Sequence, residues 1–466
     1  MSDTPPIPDA RELSAARDVL SALVRTPDPW PTHNPVLAEL VRLAARVVQC
    51  DRKHQRATEK HRDAELRDRS SIRAGASPLA PAADPLLARP AACYVCKAPF
   101  DRMHHFYDSL CPTCADRNFV KRNQSADLRG RVALVTGGRV KSGFHTVLKL
   151  LRAGADVVAT TRFPRDAARR FAREPDAIEW SARLRLVGLD LRALTAVERF
   201  AAALSERVTQ LDVFVANAAQ TVRRPPAYYR ALVAREREPI ASLPVRAAAM
   251  LAGESDFGTL VPVTGASGSP YWHADLSLLP LIPGDDEDAC FPSGAVAPDG
   301  ELLDLRTENS WGLAHADVTT VELLEVHAVN CLAPFLLLRA LLPLFRAGSL
   351  RDRFAVMVSA AEGQFAGEKT GRHPHTNMAK AGLNMMVRTS AAEFAADRVF
   401  LTAVDPGWFS VQAAAPPADR FAASGGRIPL DAVDAAARIL DPVFTGIETG
   451  RPASGVLFKD YHEAAW

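Results

Sequence analysis

Four cysteines carry the sharpest chemical signal in this sequence. Cys93-x2-Cys96 and Cys111-x2-Cys114 form two pairs separated by fourteen residues. Each pair can grip one side of a tetrahedral ion, because a short turn brings both thiolates to about 2.3 Å from the metal. Four thiolates close the coordination shell and leave no position for water, which predicts a structural Zn²⁺ rather than a catalytic one. Redox cysteines or an iron–sulfur cluster are the competing uses of the same spacing. His104 and His105 lie between the pairs and are expected to be outer or surface residues. A second signal is Thr136-Gly137-Gly138-Arg139-Val140-Lys141-Ser142-Gly143, placed between a β-rich run and a helical pattern. In that context Gly137 permits a sharp turn. Gly143 lets the helix start close to the strand, so that its amides and dipole face a diphosphate.

The elements that must position these residues alternate between strand and helix. RVALVTGG is followed by helix 144–153, strand DVVATT, helix 164–173, strand RLRLVGLD, helix 194–207 and strand LDVFVANAA. An irregular stretch at about 221–318, with one Ala-rich helix candidate near 243–252, interrupts the rhythm. Helix 320–346, strand RFAVMVSA, helix 375–397, strand VFLTAVDPG and a last strand GVLFK then resume it. This order predicts an α/β class: a doubly wound, Rossmann-type parallel sheet with helices on both faces. Ahead of it, residues 1–75 read as N-terminal helices (9–25 and 35–70), 76–90 as an Ala/Pro-rich linker, and 91–122 as the cysteine module. The nucleotide-binding domain is assigned to 127–466.

Over 127–466 the sequence resembles the short-chain dehydrogenase/reductases. That family's fingerprint is Thr-Gly-x3-Gly-x-Gly, matched here at Thr136, Gly137 and Gly143. Lys141 stands where the middle glycine is usual, as a basic residue does in pteridine reductases. Gly138, Arg139 and Phe144 belong to the same turn and helix start. The resemblance implies that Asp190-Leu191 contacts adenine, that Asn217-Ala218-Ala219 steadies the sheet beside the cofactor, and that Pro406-Gly407 lies near the nicotinamide. Cofactor choice follows from charge. NAD enzymes place a carboxylate after the second strand, where it repels a 2′-phosphate. This chain has Thr161-Arg162 there, and Arg162, supported by Arg139 or Lys141, favours NADP(H) over NAD(H).

Family chemistry is hydride transfer between nicotinamide and a carbonyl or alcohol carbon, aided by tyrosine, lysine, serine and asparagine. Asn330 and Lys380 match two of these, with Lys380 also binding the nicotinamide ribose. Four residues before Lys380 stands Thr376, not tyrosine, and an alkyl hydroxyl is far less acidic than a phenol of pKa about 10. The family serine aligns with Ala360, one step after Ser359. Two readings stay open. In one, catalysis survives on a carbonyl, enone, imine or alcohol, with His373 or His375 donating the proton; His373 sits where enoyl reductases place their tyrosine. In the other, the domain binds dinucleotide as a sensor or scaffold without turnover. The irregular stretch accounts for the excess of 127–466 over the family core and falls at the carboxyl ends of the strands. Its Tyr228, Tyr229, Tyr271, Trp272, His273 and Trp311 suit an organic substrate, and Tyr228 or Tyr229 is a source for the missing phenol.

Composition limits the remaining classes. The chain has 466 residues, 48% of them hydrophobic and 24% charged, with a formal charge of +2. These values are ordinary for a globular protein and give no electrostatic case for nucleic acid or anionic membrane. Lys121-Arg122 beside the cysteines is too small a basic patch to alter that. No apolar stretch approaches the roughly 20 residues that span a bilayer, and the best, Phe335–Phe345, is interrupted by Arg339. The N-terminal residues show no apolar signal core, so a cytoplasmic protein is expected. Cys50, Cys290 and Cys331 are scattered and read as small buried residues. A homodimer or tetramer, paired through helices 320–346 and 375–397, is implied by the resemblance.

Overall fold

The computed structural model describes residues 8–25, 34–74, 85–251, 269, 271–285, 288–292, 294–297, 299–348 and 351–466. The chain divides into two units, Met1–Glu65 and Leu66–Trp466. The first holds the Ala10–Arg25 helix and most of the Pro35–Asp68 helix, whose apolar side chains such as Leu13, Leu20, Leu40 and Val47 are exposed. The division falls at residue 65 rather than 75, so the short Ser71–Ala74 helix belongs to the second unit.

The second unit begins with a hairpin of β1 (Leu86–Ala92) and β2 (Pro99–Arg102), followed by the Pro112–Asn123 helix. Residues 76–84 of the expected linker lie outside the described residues, and β1 begins within its remainder. The main sheet has eight strands in the order β10-β9-β8-β7-β6-β3-β4-β5. They are β3 (Val132–Thr136), β4 (Asp156–Thr161), β5 (Leu184–Gly188), β6 (Val213–Ala216), β7 (Arg353–Val358), β8 (Val399–Asp405), β9 (Leu457–Lys459) and β10 (His462–Ala464). All neighbours are parallel except β9 and β10. The expected α/β doubly wound fold is therefore the one observed.

Period-two side chains explain why both faces need helices. Leu134, Val158, Phe214, Ala355 and Leu401 point to one face and meet the Leu194–Arg207, Ala333–Ala347 and Pro374–Ala396 helices. Their neighbours Ala133, Val135, Val157, Val215 and Val356 point to the other. There they meet the Lys141–Arg152, Pro164–Ala172 and Ala432–Thr449 helices. Progress along the sheet reverses between β3 and β6, and such a switch opens a crevice at the carboxyl ends of these two strands.

The expected 320–346 helix is the run Thr320–His327, Ala328–Leu332 and Ala333–Ala347, with the middle segment widened into a π-helical turn around Asn330. Among the described residues it is the one helical run long and apolar enough to cross a membrane, longer than the stretch singled out from hydropathy alone. Leu337, Leu341 and Phe345 instead bury against the sheet. The irregular stretch also holds more order than its sequence suggests. Helices Pro226–Glu236 and Val245–Met250 and the single turn Trp272–Asp275 lie within it, while 252–268 fall outside the described residues. The Ala415–Ala423 and Ala432–Thr449 helices were not anticipated.

Candidate active site and metal centre

The glycine turn is built by close approach. Gly137 has φ +72°, and a Cβ there would lie 2.8 Å from the Ala218 Cα. A Cβ on Gly143 would collide with the Gly137 carbonyl and the Asn217 amide. Asn217 clamps the turn, donating from Nδ2 to the carbonyls of Thr136 (3.2 Å) and Gly137 (3.1 Å) and accepting from the Ser142 hydroxyl (2.9 Å). Thr136 Oγ1 accepts from Ala218 N at 3.1 Å. Val140 precedes the Lys141–Arg152 helix without capping it by a side chain. The first-turn amides, which have no partner within a helix, thus remain available to an anion. Lys141 takes the left-handed conformation (φ 53°) that a glycine at this place would adopt freely.

A cavity of about 810 Å³ runs over this turn. Its lining joins Gly137, Arg139, Lys141, Thr161, Arg162, Asp190, Leu191, Asn217 and Ala218 to Ser359, Thr376, Lys380, Pro406 and Gly407. Four expected cofactor residues do not line it. Thr136 instead holds Ala218 N through its hydroxyl. Gly138 packs between Ala159 and Val147, Gly143 acts through the turn it permits, and Phe144 stacks on Phe171 with ring centres 4.5 Å apart.

At one end, Arg162 donates to the hydroxyls of Ser277 (3.1 Å) and Tyr229 (3.0 Å) and lies over the Tyr229 ring. Among the described residues no carboxylate pairs with it. Arg139 differs from expectation. It is buried between Asp166 (2.8 Å) and Glu301 (2.5 Å), so its charge is already answered and it is not free for a phosphate. Lys141 lies 3.9 Å from Asp299, and burial lowers its pKa. Asp190 is engaged by Arg192 at 2.6 Å. Burial opposes its ionisation, but that arginine holds the carboxyl below its ordinary value. An adenine would therefore meet a paired carboxylate.

At the other end Lys380 is 3% exposed and donates from Nζ to the Val358 carbonyl at 2.6 Å. Burial holds its pKa down to about 8. Ser359 and Thr376, 2% and 1% exposed, are among the residues lining the cavity, and their buried hydroxyls lack hydrogen-bond partners among the described residues. The histidines are placed elsewhere. His373, left-handed at φ 41°, stacks on Trp311 (4.0 Å) and meets the Trp311 carbonyl through Nδ1, while His375 faces Glu322 at 3.6 Å. Neither lines the cavity. Asn330 is occupied with Gln220, accepting from its N at 2.7 Å and donating to its O at 3.0 Å. In this arrangement it fixes the chain leaving β6. Tyr228 and Tyr229 line the cavity, but the Tyr228 hydroxyl donates to Glu301 at 2.9 Å and the Tyr229 hydroxyl accepts from Arg162. Of the other insertion aromatics, Trp311 also lines it, whereas His273 packs over Gly188 with Nδ1 at the Arg162 carbonyl.

The sulfur atoms of Cys93, Cys96, Cys111 and Cys114 all lie within 4.8 Å of one another, with Cys96 and Cys111 at 3.7 Å. A tetrahedron of about 2.3 Å Zn–S bonds places its sulfurs about 3.8 Å apart, so the four fit such an ion. The module docks on the Ala432–Thr449 helix. Tyr107 donates to Asp434 (2.6 Å), Lys121 to Asp441 (2.5 Å), and Arg122 to Asp431 (2.6 Å) and Asp434 (2.8 Å). The basic pair is thereby committed to carboxylates. Tyr94, between the first two cysteines, was not anticipated; it reaches the cavity and accepts from Trp408 N at 2.9 Å.

Known proteins resemble this chain in sequence and fold. A family model described as short chain dehydrogenase matches residues 131–231, and one described as Enoyl-(Acyl carrier protein) reductase matches 308–437. The gap between them falls within the insertion. An uncharacterized protein of Acanthamoeba polyphaga mimivirus is 30% identical over 370 residues, covering 76% of this chain and 71% of that protein. A probable oxidoreductase of Streptomyces lividans is 41% identical over 96 residues, 20% of this chain and 29% of that one. This chain thus spans less than a third of the length of that shorter relative. Among solved structures, the carbonyl reductase Sniffer of D. melanogaster aligns with a TM-score of 0.45 and 15% identity, covering 73% of this chain and all of that one. The fingerprint turn and the two family-model matches make the chain a member of the short-chain dehydrogenase/reductase family of oxidoreductases.

Proposed function

We propose that the chain is an NADP(H)-dependent oxidoreductase that transfers hydride to or from a small organic carbonyl, enone, imine or alcohol. The observation that carries this reading is the continuous cavity from Arg162, past the Gly137 turn, to Lys380. Its dimensions fall within the roughly 300–1,000 Å³ of small-molecule sites. NADP(H) is preferred because Arg162 offers a guanidinium held by hydroxyls alone, with Lys141 nearby and no acid at the end of β4. The first-turn amides of the Lys141–Arg152 helix would hold the diphosphate, and Lys380 the nicotinamide ribose. The bound nicotinamide would supply or accept the hydride. Ser359 and Thr376 offer hydroxyls that a substrate oxygen would satisfy, which replaces the expected roles of His373 and His375. A substrate whose reduction demands little protonation at oxygen, such as an enone or imine, suits this weakly acidic pair.

Zn²⁺ in the four-cysteine centre would be structural, since all four positions are filled by sulfur. The exposed Leu324, Leu332, Phe335, Met378 and Met385 on the Thr320–Ala347 run and the Pro374–Ala396 helix support pairing with a second copy there. The sensor reading is favoured by one observation: one turn before Lys380 stands a buried threonine, so no phenol adjoins the lysine within its own helix. Turnover of NADPH with a panel of ketones, enones and imines, using Ser359→Ala and Lys380→Ala, separates the readings. Consumption that both variants suppress supports the oxidoreductase. NADPH binding with no consumption across the panel, and no reduction of NADP⁺ by alcohols, supports the sensor.

A further inference from the structure

Among the described residues, the cysteine module contributes one side chain to the cavity lining, Tyr94. Tyr94 lies between Cys93 and Cys96, both of the metal-binding set, so its backbone is held wherever the metal holds theirs. Its ring lines the cavity beside Pro406, Gly407 and Trp408, and its hydroxyl oxygen accepts from Trp408 N at 2.9 Å. The hydroxyl's own proton has no acceptor among the described residues.

A second link runs to the same turn through Arg438, which is 2% exposed. Its Nη2 donates to Asn118 of the module's helix at 2.9 Å and pairs with Asp460 at 2.8 Å. Its Nη1 packs where a Cβ of Gly407 would stand, and Gly407 has φ +80°. Phe409 packs against the module's apolar cluster. The turn from Gly407 to Phe409 is thus held from both sides by residues of the module or residues bound to it.

We propose that the cysteine module forms a wall of the nicotinamide end of the cavity. In this arrangement Tyr94 is a positioning residue that fixes the Gly407–Phe409 turn and offers its free proton to the carboxamide oxygen of the bound nicotinamide. Metal loading then sets affinity for the dinucleotide. This rests on the dinucleotide reading above, and the two can fail separately.

The test uses the full, zinc-loaded chain. Hydrogen–deuterium exchange compares wild type with Tyr94→Phe, and calorimetry measures NADPH and 2′-phospho-ADP-ribose, which lacks the nicotinamide. Loss of one hydrogen bond of ordinary net strength should speed exchange at Trp408 about fivefold and weaken NADPH about fivefold. Affinity for 2′-phospho-ADP-ribose, zinc content and melting temperature should stay at wild-type values. Chelating the zinc should loosen the same turn and weaken NADPH in the same way. Unchanged exchange at Trp408 in Tyr94→Phe overturns the proposal, as does equal weakening of both ligands or loosening spread over the whole sheet. If wild type binds neither ligand, the dinucleotide reading fails, while the Trp408 exchange still judges the contact.

Discussion

Lys380 Nζ donates to the carbonyl oxygen of Val358 at 2.6 Å, tying the Pro374–Ala396 helix to the last residue of β7. The bond sets the lysine beside Ser359 and inside a wall apolar enough to hold its pKa down to about 8. Lys380 is thus poised between a structural contact and a chemical one, and its titration is measurable.

Burial lowers the folded-state pKa of Lys380 below its ordinary value of 10.5. Between about 8 and 10.5 the unfolded chain then binds the proton more tightly, so this group's contribution to stability rises with pH across that window. Dinucleotide binding should run the other way, because the ribose contact uses the ammonium. NADPH affinity is expected to fall as pH rises through about 8, and Lys380→Met to abolish that slope. Calorimetric titrations from neutral to alkaline pH check both.

The Gly137–Asn217 clamp leaves no room for a side chain at 143. Gly143→Ala should displace the glycine turn and weaken NADPH by at least about tenfold, equivalent to about 1.4 kcal/mol. Overpacking of this kind also costs about 1–3 kcal/mol of stability. Denaturant unfolding and ligand titration of the same variant measure both losses.

The two arginines at the adenosine end should separate cleanly. Arg162→Ala should lower NADPH affinity about tenfold or more and leave NADH unchanged, since charge-assisted bonds of about 1.5–3 kcal/mol are at stake. Arg139→Ala leaves Asp166 and Glu301 to share Arg170, with Arg235 3.8 Å from Asp166 and the Tyr228 hydroxyl on Glu301, and should destabilise the fold by up to about 3–5 kcal/mol, the cost of breaking a buried pair. Its NADPH/NADH preference should not move. Parallel binding and melting measurements on both variants decide this.

Ser359 gives up no intramolecular hydrogen bond when truncated, because its hydroxyl has no partner among the described residues. Ser359→Ala should therefore leave stability within about 1 kcal/mol of wild type. Turnover should fall about 10²-fold or more, the effect of removing a donor aimed at a developing oxyanion. A stability loss as large as the rate loss would assign the serine to packing.

Much of this was legible beforehand for a definite reason. Strands buried on both faces are short apolar runs, and RVALVTGG, DVVATT and RFAVMVSA announce themselves as such. Metal spacing and the glycine turn are local in sequence and were equally plain. What stayed hidden depends on distant contacts. Arg139 reads as a phosphate ligand until Asp166 and Glu301 arrive from 27 and 162 residues away. His373 and His375 read as proton donors until Trp311 and Glu322 claim them. Tyr94 carried one signal, an aromatic between paired cysteines, but its partner Trp408 lies 314 residues on.

In the proposed function, the turn from Thr136 to Gly143 receives a pyridine nucleotide whose 2′-phosphate meets Arg162. Calorimetric titration of the zinc-loaded chain with NADPH and, separately, NADH tests it most directly. One site per chain is expected to bind NADPH at least about tenfold more tightly than NADH, a difference of about 1.4 kcal/mol. Heat of binding for neither nucleotide at millimolar concentration would contradict it.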